Sequence, residues 1–209
     1  MKKQADLWVF GLAGVLYPKS LSVVDEVDHL MVEQIAIMRR IGYSSAVTLR
    51  KMWFERHNTT STLVCVKKEG LDVDTFIRNT YMSGNINFLL QPNAALILAL
   101  AQLKGRKVVL TGYPKEFAEL MLFTLGLGQT FDDILGIEQT KFYLKPDVRA
   151  FIPVMDNLGM QGRVMFDCDP ETLSVASRLG FHTVLVGDTK STVLGVNEHV
   201  LRLEDYFFA

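Results

Sequence analysis

Four apolar residues in a row, Leu7-Trp8-Val9-Phe10, run into the small-residue turn Gly11-Leu12-Ala13-Gly14 and leave through Leu16-Tyr17-Pro18. A run of this kind with no polar alternation predicts a strand buried on both faces, the signature of a parallel sheet covered by helices. Such a strand needs neighbours on each side and helices above and below it. Open sheets of this class bind ligands in the loops at the carboxyl ends of their strands, so the turn at Gly11 to Gly14 is the first candidate site.

The neighbours are found in the second half of the chain. Helical periodicity is expected over 94–103, 115–125, 148–158 and 171–179, alternating with strands at 107–111, within 131–136, at 163–167 and at 182–186, and an edge strand is expected at 200–203. Strands separated by helices of this length require right-handed crossovers and a parallel order. The fold class expected is therefore α/β, a doubly wound parallel sheet.

Between residues 18 and 91 the period changes. Val23, Val27, Leu30, Met31, Ile35 and Met38 recur at helical spacing and lead to a basic turn and Gly42. Ser44 or Ser45 is expected to cap the next helix, and Asp72 or Asp74 a later short one. No strand is expected here. The division expected is a core of 1–17 and 92–209 with an all-helical cap, 18–91, placed over the carboxyl end of the first strand.

Lysine and arginine number 22 against 23 acidic residues, a net charge of −1, which offers no attraction for nucleic acid or an anionic membrane. The longest near-apolar run, residues 94–103, is too short to span a bilayer. The short stretch before the first strand is not expected to act as a secretory leader. Cys65 and Cys168 make no metal-ligand pair, and a reducing cytoplasm is the expected location.

The order of these elements resembles the haloacid dehalogenase superfamily. There the first strand ends in Asp-x-Asp; here Gly11 and Ala13 stand at those two positions. Thr111 falls at the second motif with Gly112 after it, Lys145-Pro146 at the third, and Asp167-Cys168 at the fourth, where the family carries two acids. Leu16-Tyr17-Pro18, Thr59-Thr60 and residues 70–74 are similar to the pyrimidine 5′-nucleotidase branch. The resemblance implies a phosphatase whose first aspartate attacks phosphorus, whose second moves a proton, and whose Mg²⁺ is held by carboxylates. Only Asp167 of the four carboxylates is present, so no confident catalytic residue is assigned and no cofactor is expected.

What the resemblance leaves is a set of anion-binding positions: Gly11, Leu12, Ala13, Gly14, Thr111, Gly112 and Lys145, with His57, Thr59 and Thr60 from the cap. Asp167 is the single candidate metal ligand and also the expected charge partner of Lys145. Asp169 before Pro170 reads as a helix N-cap, and Cys168 as a small buried hydrophobe. The leading expectation is an inactive phosphatase homologue that binds phosphate, sulfate, a phosphorylated metabolite or a protein. Two alternatives stand beside it: a hydrolase using water or Cys168 as nucleophile, and a structural interaction module.

Overall fold

The computed structural model describes residues 4–21, 23–83, 90–155, 162–189 and 194–208. It divides into two compact units, one made of Met1–Leu21 with Leu90–Ala209 and the other of Ser22–Leu89. The first and larger unit is a six-stranded sheet in the order β3-β2-β1-β4-β5-β6, with every pairing parallel. Its strands are β1 (Leu7–Phe10), β2 (Arg106–Leu110), β3 (Asp133–Leu135), β4 (Arg163–Asp167), β5 (His182–Val186) and β6 (Glu198–Val200).

Central β1 lies between β2 and β4, with Leu7 in register with both Arg106 and Arg163. All four of its side chains are fully buried, as the apolar run requires. One face carries Leu7 and Val9 into an aliphatic cluster with Val108, Leu110, Met165 and Leu185. The other carries Trp8 and Phe10 into an aromatic one: Phe10 stacks on Phe166 at 5.0 Å between centroids, and Phe166 meets Tyr206 edge-on at 4.9 Å. Each such buried side chain contributes about 1.5–3 kcal/mol, so the centre of the sheet is also its most strongly held part. Trp8 satisfies its indole N–H on the Lys104 carbonyl at 2.7 Å.

The second unit holds helices α1 (Val23–Arg39), α2 (Tyr43–His57), α3 (Thr62–Lys68) and α4 (Val73–Asn79). In the larger unit α5 (Ala94–Ala101), α6 (Lys115–Thr124), α7 (Ile152–Met155), α8 (Pro170–Arg178) and α9 (Asp205–Phe208) follow. Asp169 caps α8, accepting from the Glu171 and Thr172 amides, and Asp72 caps α4.

Several expected boundaries move. Helix α1 stops on Arg40, which takes the left-handed conformation at φ 54° while Ile41 N–H reaches back to the Ala36 carbonyl at 3.0 Å. Gly42 is the extended N-cap of α2 and gives no side-chain bond, so Ser44 and Ser45 lie inside the first turn rather than capping it. The expected helix at 148–158 begins as a 3₁₀ turn, Val148–Phe151, and becomes α7 only at Ile152. Pro153 has no N–H to donate back to the preceding turn, and a proline is tolerated there because it sits at the start of α7. Residues 156–158 of that expectation lie outside the described residues. The last strand is β6, ahead of the expected 200–203, because Leu201–Glu204 turn towards α9.

Within the helical unit Trp53, Leu63 and Phe76 are fully buried, and the Arg39 guanidinium lies over the Trp53 ring at 5.4 Å. Glu69 gathers three partners: Arg39 at 3.1 Å, Arg56 at 2.9 Å and His57 Nε2 at 2.8 Å. Burial pushes the Glu69 carboxyl up, but the bonds from His57 and Arg56 outweigh it and hold the group below the ordinary carboxylate value. A group depressed on folding adds stability above its unfolded pKa and loses it as pH falls through its folded one. Glu69→Gln is therefore expected to lower the melting temperature at pH 7 by the equivalent of about 1 kcal/mol. The gap from the natural protein should close below about pH 4, followed by circular dichroism melts across that range.

Candidate functional site

The site is built where β1 stops. Gly11 continues the ladder one residue past the strand, its N–H donating to the Phe166 carbonyl at 2.8 Å. That places it between the ends of β2 and β4. A Cβ on Gly11 would lie 3.0 Å from Asp167 Oδ2 and 3.1 Å from Val15 Cγ2, so Asp167 fills the space that a side chain at position 11 would need.

The turn then closes on itself. Gly14 has φ +76° and donates to the Tyr17 carbonyl at 2.8 Å, and a Cβ there would come within 2.6 Å of Cys168 Sγ. Both its backbone and its surroundings demand glycine. The Cys168 thiol donates to the Ala13 carbonyl at 3.4 Å. Among the described residues, the Leu12 and Ala13 N–H groups have no backbone acceptor. They are the two amides of the turn left to bind something else.

Thr111, one residue past β2, is buried at 6% exposure, and its Oγ1 accepts from the Tyr113 N–H at 3.2 Å. With that acceptor position filled, the hydroxyl still has a proton to offer. Gly112 is exposed, and a Cβ there would meet Leu144 at 2.9 Å, so the loop carrying Lys145 packs closely over it. The Lys145 ammonium makes an ion pair with Asp167 Oδ2, the two side chains being 17% and 5% exposed. Asp167 Oδ1 accepts from the Asp169 N–H at 3.0 Å. Lysine and aspartate thus meet as the charge partners expected from the absence of the other acids, and both oxygens of the carboxylate are engaged.

Cys168 is half-buried, and burial first, then the Asp167 charge, raise its thiol above the ordinary value against the pull of Lys19 and Lys145. Among the described residues no three His, Cys, Asp or Glu side chains gather as a group able to hold a metal. Nor is any helix long and apolar enough to cross a membrane.

The helical unit engages its candidates internally. His57 bonds Glu69, and Thr59 Oγ1 accepts from the Ser61 N–H at 3.2 Å, while Thr60 is exposed. Two tyrosines not singled out as site residues, Tyr17 and Tyr113, lie side by side in the larger unit. Tyr17, read only as the exit from the turn, is 5% exposed, and its hydroxyl has no hydrogen-bond partner. Burial first, then the Tyr113 phenol beside it, raise the Tyr17 hydroxyl above the ordinary tyrosine pKa. A cavity of about 510 Å³ is lined by Gly14, Tyr17, Lys19, Cys168, Gly187 and Glu204 among others. It flanks the turn on the β4–β5 side and does not include Thr111, Lys145 or Asp167.

Solved structures share the fold over nearly the whole chain. A HAD phosphatase from Thermococcus onnurineus superposes with a TM-score of 0.67 at 15% identity, covering 96% of this chain and 95% of its own. The L-2-haloacid dehalogenase of Xanthobacter autotrophicus gives 0.58 at 15% identity, covering 96% of each. This is the haloacid dehalogenase fold. The UTR4 protein of Saccharomyces cerevisiae, at 0.60 and 12% identity, covers 97% of this chain and 100% of its own, within the same fold. No family model and no curated protein matches the chain by sequence. Identities this low establish the dehalogenase fold and do not single out the pyrimidine 5′-nucleotidase branch.

The buried ion pair gives a direct test of how the site is held. Lys145→Met leaves the Asp167 charge without its partner and is expected to destabilise the protein by about 3–5 kcal/mol. Adding Asp167→Asn to the same protein should recover most of that loss in chemical denaturation, because the buried charge is gone as well.

Proposed function

We propose that this chain is a phosphatase-like scaffold that binds an oxoanion, the phosphoryl group of a small metabolite, without a metal and without cleaving it. One observation carries the reading: at the end of β1, positions 11 and 13 hold glycine and alanine, and Asp167 is closed onto Lys145. No group at position 11 can form an acyl phosphate, and none at position 13 can move its proton.

Charge balance supports the same reading. Two carboxylates about 4 Å apart repel by about 4 kcal/mol at an effective dielectric near 20, and clustered acids need a cation to coexist. Here one carboxylate faces one ammonium, and the centre is neutral without a metal. The donor set does not suit Mg²⁺, which demands several hard oxygen ligands. Asp167 has both oxygens in use, and its neighbour is a thiol. The ammonium of Lys145 has two further N–H bonds to give after Asp167. Together with the Leu12 and Ala13 amides and the Thr111 hydroxyl it offers an oxoanion a ring of donors.

The rival reading, hydrolysis through Cys168, is opposed by the thiol's surroundings. A catalytic cysteine is a thiolate stabilised by nearby positive charge. Burial and Asp167 hold this one protonated. The phosphate class of ligand follows the Thermococcus onnurineus protein, which is named a phosphatase. A cytoplasmic location stays within the proposal on the strength of the free thiols.

The test compares the natural protein with a Gly11→Asp/Ala13→Asp/Cys168→Asp variant on aryl phosphate and nucleoside monophosphates, with and without Mg²⁺. The natural protein is expected to show no turnover, and inorganic phosphate alone to stabilise it by about 2.7 kcal/mol at a hundredfold excess over its dissociation constant. Metal-dependent turnover gained by the variant would identify the scaffold as a phosphatase frame. Turnover by the natural protein, or no stabilisation by phosphate, would overturn the reading.

A further inference from the structure

We infer that the cavity on the β4–β5 side of the turn binds a small organic amine, with the Glu204 carboxylate as the anchor for its ammonium group. This goes beyond the oxoanion reading and uses none of that site's donors.

The cavity, of about 510 Å³, falls in the range of about 300–1,000 Å³ that holds small organic ligands. Its lining comes from the larger unit: the turn after β1, α5 and its cap, the loops after β4 and β5, and the segment between β6 and α9. Leu16, Leu96, Val186 and Leu203, all buried, supply an apolar wall. Four charged side chains join them, Lys19 and Arg202 against Asp188 and Glu204. Lys19, Asp188 and Arg202 are exposed, where water screens them. Glu204 is 9% exposed and is the buried charge of the lining.

A buried carboxylate needs donors for its lone pairs. Both partners of the Glu204 side chain are on one oxygen: Asn93 Nδ2 donates to Oε1 at 3.1 Å, and an Arg202 nitrogen lies 3.9 Å from the same atom. Each of these partners is also committed elsewhere. Arg202 bonds Asp205 at 2.7 and 3.3 Å, and Asn93 Oδ1 caps α5. Among the described residues, Glu204 Oε2 has no donor.

A carboxylate only accepts, so the group that completes it is a donor, and beside a buried negative charge a cationic donor binds most strongly. A divalent metal does not suit, because among the described residues no three His, Cys, Asp or Glu side chains gather to hold one. One buried carboxylate facing an apolar wall matches one ammonium on a short apolar body.

The experiment is calorimetric titration of the full-length protein at pH 7 with phenethylamine, cyclohexylamine and isobutylamine, each beside the alcohol of the same carbon skeleton. At least one amine is expected to bind, about tenfold or more tighter than its alcohol, the worth of a hydrogen bond to a charged group. Glu204→Gln keeps an acceptor for Asn93 and removes the charge, and should weaken that amine about tenfold or more and bring it level with the alcohol. Ser20→Trp, at an exposed lining position, leaves Glu204 and Asn93 in place and should weaken both probes by filling the cavity. Binding of none of the three amines, or equal affinity for amine and alcohol in the natural protein, overturns the inference. So does unchanged amine affinity in Glu204→Gln or, if that variant does not fold, in Ser20→Trp. Phosphate binding is read in a separate titration, so failure of either proposal leaves the other standing.

Discussion

Everything in the larger unit depends on β1 being buried on both faces. Four consecutive side chains with no contact with water leave the strand no edge position, so it must be flanked on each side and covered above and below. The flanking strands come from residues about a hundred and more positions further on, and their ends bring Thr111 and Asp167 to either side of Gly11. The site is a consequence of that burial. Its parts are placed by the core on the two faces of the sheet, the Phe10–Phe166 stack on one and the aliphatic cluster on the other.

Small residues and the ion pair then act as one arrangement. Asp167 approaches the position where a Gly11 side chain would lie, and Lys145 meets it there. Cys168 comes against Gly14 and bonds the Ala13 carbonyl. A carboxylate at position 11 would crowd Asp167 sterically and repel it electrostatically. The absence of acids on β1 and the closure of the pair are therefore two sides of one balance. The result is a centre in which one carboxylate is matched by one ammonium, beside two backbone amides, of Leu12 and Ala13, without backbone acceptors, whereas clustered acids would need a cation to coexist.

Much of this is legible in the sequence. The missing carboxylates at Gly11 and Ala13, the pairing of Lys145 with Asp167 and the capping role of Asp169 all follow from residue type and place along a recognisable alternation of strands and helices. The helical ends were less legible. Arg40 stops α1 in a conformation usually given to glycine, because the next helix must start at Tyr43 and leaves Gly42 extended. His57 could be read as a ligand contact from its neighbours alone; its bond to Glu69 depends on α3 folding back beside α2. The burial of Tyr17 against Tyr113 was invisible, since nothing in Leu16-Tyr17-Pro18 tells which loop its phenol meets.

The sequence by itself determined the sheet, the helical insertion and the absence of a carboxylate at positions 11 and 13. Burial periodicity and the presence or absence of a carboxylate are properties of the chain read locally. Only the tertiary structure decided which donors remain unpaired. Whether Leu12 and Ala13 have acceptors, and whether both oxygens of Asp167 are taken, depends on contacts between segments far apart in the chain. Hydrogen bonds are satisfied in three dimensions, over distances of about 3 Å that no spacing along the sequence encodes.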